Sequence, residues 1–203
     1  EKTVSGTLGV KDGVLAFTFP DFAVTVEEEK KQAADPRAAE EVKSELNEII
    51  GLSEVKDYVL SLEQNYIIQR LREARGMKAD VPTMHMIFTG NPGTGKTTIA
   101  RLVSRYLKAM GVLSGGQLIE VTRADLVGKY VGHTAPLTQQ VIRSALGGVL
   151  FIDEAYSLYR GADDSFGLEA IDTIVKGMED HREDLIVILA GYTKEMEAVS
   201  YTH

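Results

Sequence analysis

The sequence predicts an α/β fold: a parallel sheet flanked by helices, with a small β appendage at the amino terminus. Three observations predict it. Beyond Pro82 the chain alternates short apolar runs with stretches of helical periodicity, the pattern of a sheet covered by helices on both faces. The first of those runs leads directly into Gly90-Asn91-Pro92-Gly93-Thr94-Gly95-Lys96-Thr97-Thr98, a phosphate-binding loop by its spacing. A later run, Gly148-Val149-Leu150-Phe151-Ile152, ends in the acidic pair Asp153-Glu154.

Taken in order, residues 1–26 form a segment of their own. Leu8 and Val10, then Leu15, Phe17 and Phe19, then Phe22, Val24 and Val26 alternate, with Asp12-Gly13 and Pro20-Asp21 as turn signals, so two or three antiparallel strands are expected. Such a small sheet is marginal alone, so it is expected to pack on the main domain or on a partner. Residues 27–45 are dense in charge, from Glu27-Glu28-Glu29-Lys30-Lys31 onward, and read as a solvated linker or exposed helix. Residues 46–203 read as the nucleotide-binding α/β domain. It opens with a helix capped at Ser53, with Val55, Val59, Leu62 and Tyr66 on one face, ending near Arg75-Gly76.

The strands of that domain are expected at 84–89, 118–122, 149–152 and 185–190. Between them, Ile99, Leu102, Val103, Tyr106 and Leu107 mark one helix, Leu137, Val141 and Ala145 a second, and Ala170, Ile171, Ile174, Val175 and Met178 a third. The strand, glycine loop, helix sequence around residue 90 is the context that the phosphate motif requires.

That context assigns chemistry. Gly90, Gly93 and Gly95 let the backbone approach phosphate, and the free amides at the following helix start favour an anion. Lys96 is placed to reach the β- and γ-phosphates of a nucleoside triphosphate, and the Thr97 hydroxyl to ligate Mg²⁺. Asp153 is the expected second holder of the magnesium, through water, and Glu154 the general base that readies the attacking water. An acidic pair ending a strand can otherwise cap the next helix; after a phosphate loop, catalysis is the better account.

Composition bounds the rest. With 203 residues, 44% apolar and 26% charged, the chain can bury a sizeable core. A formal net charge of −8 argues against a dedicated nucleic-acid binder. There is no cysteine, hence no disulfide or thiolate metal site. His85, His133, His181 and His203 lack metal-ligand spacing. No apolar run reaches membrane-span length, and a cytoplasmic location without membrane partners is the expectation.

Four blocks in order carry a resemblance: 91–97 (Asn-Pro-Gly-Thr-Gly-Lys-Thr), 123–134 (Arg-Ala-Asp-Leu-Val-Gly-Lys-Tyr-Val-Gly-His-Thr), 151–156 (Phe-Ile-Asp-Glu-Ala-Tyr) and 190–192 (Ala-Gly-Tyr). Together they resemble the CbxX/CfxQ family of AAA+ ATPases over residues 46–199. That family takes in the red-type Rubisco activases and the stage V sporulation proteins, the latter the nearer likeness. The resemblance implies ATP or ADP bound on Asn91, Pro92, Gly93, Thr94, Gly95, Lys96, Thr97 and Thr98, with Ile50 and Gly51 at the adenine. It implies a loop bearing Tyr130 and Val131 that faces the central pore of a homo-hexamer and grips a protein substrate. The AAA+ sensor asparagine has no counterpart, leaving Tyr192 and Thr193 as candidates for that role.

The family pattern continues with an arginine finger and a helical lid, neither of which follows Val199. The expectation is an AAA+ module truncated before those parts, which binds ATP or ADP weakly and hydrolyses poorly. The function expected of the whole is an ATP-driven, chaperone-like remodelling motor. A nucleotide-dependent scaffold and a P-loop kinase are the alternatives that use the same loop.

Overall fold

The computed structural model describes residues 7–11, 14–18, 34–48, 53–77 and 83–200. The chain divides into two compact units, Glu1–Lys30 and Lys31–His203. In the first, β1 (Thr7–Lys11) and β2 (Val14–Thr18) pair antiparallel with Val10 opposite Leu15. This is the expected hairpin. A third strand around Phe22, Val24 and Val26 lies outside the described residues.

The second unit is built on a four-stranded sheet of β3 (Met86–Thr89), β4 (Leu118–Val121), β5 (Val149–Ile152) and β6 (Ile186–Gly191). The order in space is β3-β6-β5-β4, and all neighbours are parallel. Position explains composition. The inner strand β5 is buried at all four residues, whereas the outer strands β3 and β4 each leave residues exposed or half-exposed. A strand covered on both faces has no solvent side to alternate with.

Alternate residues of the inner strands enter two separate cores. Val149, Phe151, Ile186 and Ile188 pack under α1 (Pro36–Glu48), α2 (Ser53–Ala74) and α3 (Lys96–Ala109), where Leu46, Val59 and Tyr106 are buried. Leu150, Ile152 and Val187 pack on the opposite side with Leu126 of α4 (Arg123–Leu126), Ile142 of α5 (Thr134–Ala145) and Ile174 of α6 (Ser165–Asp180). Helix α7 (Thr193–Ser200) follows β6.

Helix α1 corrects one expectation. It crosses the boundary drawn at residue 45, and Val42 and Leu46 bury against the α3 core. The stretch is therefore neither wholly linker nor wholly exposed helix: apolar residues four apart line one face, and the charges occupy the other. Arg105 of α3 holds Glu45 in a two-pronged ion pair at 2.7 and 2.9 Å. Helix α2 runs to Ala74 and closes on Gly76 at φ +70°, with the Met77 amide donating to the Arg72 carbonyl at 3.0 Å, a left-handed glycine stop.

Candidate nucleotide site

Parallel strands put their loops on a shared edge, and the candidate residues gather at the carboxyl end of this sheet. The strand bearing the glycine loop, β3, and the strand bearing the acidic pair, β5, are not neighbours; β6 lies between them. The residue that follows β6, Tyr192, therefore emerges between the loop and the carboxylates. One cavity of about 460 Å³ is lined by residues 92–98, Asp153 and Tyr192, a size suited to a small-molecule ligand.

Within the loop, the Thr94 hydroxyl donates to the Asn91 carbonyl at 2.8 Å and stiffens the turn. Gly93 and Gly95 take φ of +75° and +83°, with nothing within 4 Å of where a Cβ would stand. Helix α3 begins after Gly95 without a side-chain cap, so its first amides are free to bind an anion. The Lys96 ammonium donates to the Gly90 and Asn91 carbonyls at 2.8 and 3.1 Å and lies 5.4 Å from the Tyr192 ring centre. Tyr192 in turn stands 5.8 Å from the Tyr156 ring. Burial, then the charge of Glu154, pushes the Tyr156 phenol above its ordinary value.

The acidic pair is arranged unequally. Asp153 lines the cavity, and one of its carboxylate oxygens accepts from the Glu154 amide at 2.9 Å. Glu154 has a left-handed backbone, φ +49°, and is the only non-glycine residue with positive φ among the described residues. Non-glycine residues are held in that region where the surroundings over-determine them, often at functional sites. A 3-10 turn over Ala155–Leu158 follows at once, with the Ser157 amide donating to the Glu154 carbonyl at 2.8 Å.

These residues fit a nucleoside triphosphate with Mg²⁺: uncapped helix amides and a lysine for phosphate, a hydroxyl and a carboxylate for the metal. Among the described residues no three of His, Cys, Asp or Glu converge as a metal cage. A magnesium ion here would thus draw most of its shell from phosphate oxygens and water, as magnesium commonly does.

The structure brings Lys96, Thr97, Asp153 and Tyr192 together and sets Glu154 beside them. Thr193, the first residue of α7, is exposed. Tyr130 and Val131 stand on a separate loop, 68% and 88% exposed. Ile50 and Gly51 lie outside the described residues.

Sequence reasoning missed Glu120. Its carboxylate accepts from the Thr97 hydroxyl at 3.4 Å, a long contact. The signal was available as a lone charge inside the apolar run Leu118-Ile119-Glu120-Val121. It also missed Arg123, whose guanidinium bonds the Ser157 and Leu158 carbonyls and Asp164.

Residues 86–201 match the ATPase family associated with various cellular activities (AAA). The chain belongs to that family. Within it, the chain falls in the CbxX/CfxQ group: it is 48% identical to stage V sporulation protein K of Bacillus subtilis (strain 168), over 83% of this chain and 52% of that one. It is 50% identical to Protein CbbX of Cereibacter sphaeroides, over 78% and 52% of the two chains. It is 52% identical to a chloroplastic ribulose bisphosphate carboxylase/oxygenase activase of Cyanidioschyzon merolae, over 74% and 49%. The chain thus spans about half the length of the curated relatives it matches. Among solved structures, the FIGL-1 AAA domain in complex with ADP superposes with a TM-score of 0.50 at 23% identity, covering 71% of this chain and 48% of that one. At that identity the likeness is one of fold, and the AAA α/β sheet is the fold observed here.

Proposed function

We propose that this chain is the ATP-binding and ATP-hydrolysing module of a protein-remodelling motor. One observation carries the reading: a lysine, a hydroxyl and a carboxylate line one cavity at the carboxyl end of the sheet, with Glu154 held in a left-handed backbone at its rim. In this reading the amides of residues 93–97 and the Lys96 ammonium bind the phosphates, and Thr97 and Asp153 hold Mg²⁺. The metal, when bound, neutralises phosphate charge.

Glu154 orients a water and accepts its proton as the water oxygen bonds to the γ-phosphorus and the bond to the ADP oxygen breaks. Tyr192 lies against Lys96 and so is the better placed of the two sensor candidates; Thr193 is one residue farther along the chain.

Tyr130 and Val131 serve as an exposed apolar grip on a polypeptide, which is the pore-loop role in a homo-hexamer of the whole protein. The client is a protein, as the name of the Rubisco activase relative suggests for that relative; the sporulation protein's name points to a different setting. A cytoplasmic place belongs to this reading, and no helix among the described residues is long and apolar enough to cross a membrane.

The test is calorimetric titration with Mg·ADP and Mg·ATP, followed by steady-state turnover of the whole protein and of Glu154→Gln. Binding should persist in the variant while turnover falls by about 10² to 10⁴. Equal turnover in the two proteins, or no adenine nucleotide bound by either, overturns the reading.

A further inference from the structure

Arg123 sits where three segments meet. It is the first residue of α4, and its Nη1 donates to the Ser157 and Leu158 carbonyls at 3.1 and 2.9 Å. Its Nη2 donates to one Asp164 oxygen at 3.0 Å, while Nη1 lies 2.7 Å from the other. Both side chains are only 15% exposed, so this is a largely desolvated ion pair joined by one hydrogen bond, from Nη2. Asp164 also caps α6, accepting from the Gly167 amide at 3.1 Å. A Cβ at Gly167 would run into the Leu158 carbonyl and Arg123 Nη1, so the glycine makes room for the guanidinium.

The two carbonyls that Arg123 grips belong to the 3-10 turn that starts one residue after Glu154. The turn is tied to Glu154 by the Ser157 amide. On the other side, α4 leads into the loop carrying Tyr130 and Val131, and that loop has a rigid base. The Leu126 carbonyl accepts from the Thr138 hydroxyl at 2.9 Å, and the Gly128 amide donates to the Thr134 hydroxyl at 3.1 Å, with both threonines fully buried. A Cβ at Gly128 would stand 2.7 Å from the His133 Cβ and 2.8 Å from the Thr134 nitrogen. The base therefore has no slack, while its tip, Tyr130 and Val131, is exposed.

We propose that Arg123 is a positioning residue that locks the Glu154 turn to the base of the 129–131 loop, so that a nucleotide-driven change at Glu154 moves the loop tip. The proposal rests on the nucleotide reading given above. Glu154 supplies the element with two states: its left-handed backbone is sparsely populated and has an ordinary alternative. Packed elements transmit such a change as a rigid displacement, because they deform poorly. Without Arg123, the turn could switch while α4 stayed in place.

Residues 1–203 contain no cysteine, so once any cysteine elsewhere in the full-length protein is replaced, a Val131→Cys variant carrying one environment-sensitive dye reports on the loop tip alone. In the full-length protein, emission should differ between Mg·ADP and a slowly hydrolysed ATP analogue. Adding Arg123→Met should abolish that difference and leave nucleotide affinity unchanged; Asp164→Asn, closer to isosteric, should reduce it. Hydrogen exchange on the unlabelled parent checks the same point without any substitution: residues 123–133 and 155–158 should change protection together between the two nucleotides. A loop that responds normally in Arg123→Met, or a 155–158 response without one in 123–133, overturns the linkage while nucleotide binding stands. A parent protein that binds no nucleotide sinks the underlying reading, and the linkage with it.

Discussion

The two ends of the parallel sheet are built on opposite terms. At the amino end, polar groups are turned inward and paired: the Ser114 amide and hydroxyl both donate to Asp184, at 2.9 and 2.6 Å, and the Ser104 hydroxyl donates to the Gly116 carbonyl at 2.8 Å. Glycine there is a packing residue, since a Cβ on Gly148 would run into the Gln117 backbone carbonyl and stand 2.8 Å from the Gln117 side-chain carbon. At the carboxyl end, Gly93 and Gly95 have empty space beside them, α3 begins without a side-chain cap, and Glu154 holds a rare backbone state. One end is closed on itself, and the other keeps donors pointed at something it binds. Substitutions at the first should move stability and leave binding alone; at the second the reverse should hold.

Gly148→Ala is the strongest challenge to that contrast. Its methyl would run into the Gln117 backbone carbonyl, which accepts the Val149 amide at 2.8 Å, so backbone must move at an overpacking cost of about 3 kcal/mol or more, or about 2 to 4 °C in Tm per kcal/mol for a domain of this size. Thermal melts with and without Mg·ADP should show a lower Tm and an undiminished nucleotide-induced rise. If the rise also vanished, the two ends would not be separable.

Glu120→Gln sharpens the contrast from the carboxyl end. The Thr97 hydroxyl faces the Glu120 carboxylate, a partner that would keep the hydroxyl oxygen's lone pairs turned toward a metal. Gln keeps an acceptor oxygen but loses the negative charge, and that loss should weaken Mg²⁺ retention by the nucleotide-bound protein about 10-fold. The free protein's stability should stay within about 0.5 kcal/mol, as for most surface substitutions. Titration of Mg²⁺ into the ADP-bound protein measures it, and an unchanged affinity would make Glu120 a bystander.

What the sequence disclosed, and what it withheld, divides along a related line. The phosphate loop and Asp153-Glu154 were legible because each is a contiguous run read in the context of its strand, and β5 because a strand buried on both faces is apolar throughout. Glu120 beside Thr97 and Arg123 on Asp164 were not, since those pairs are 23 and 41 residues apart. Their meeting depends on the order β3-β6-β5-β4, which an alternation of strands and helices leaves open. The packing of α1 was obscured because only Val42 and Leu46 interrupt its charges on the buried side. Even the start of β3 has a physical cause. The run beginning at Met84 suggested a strand from 84, yet the Val187 amide donates to the His85 ring nitrogen Nδ1 at 3.0 Å, so a side chain takes the place of a ladder bond and the strand begins at Met86.

That imidazole yields the smallest expected effect. Nδ1 can accept the Val187 proton only while it carries none itself, and burial holds the His85 pKa below its ordinary value. The unfolded chain takes up a proton near pH 6.5, so just below that pH it binds more protons than the folded one. Stability from His85 is therefore complete above about pH 6.5 and declines as the pH falls toward the depressed folded value, with a slope of at most about 1.4 kcal/mol per pH unit for one proton. His85→Gln should flatten this decline in melts taken across that range, after the other titrating groups are removed by subtracting variant from parent. Because His85 lies at the closed end of the sheet, nucleotide affinity of the parent should not follow the same titration. A parent-minus-variant difference that is level with pH would mean that Nδ1 contributes nothing to the strand pairing.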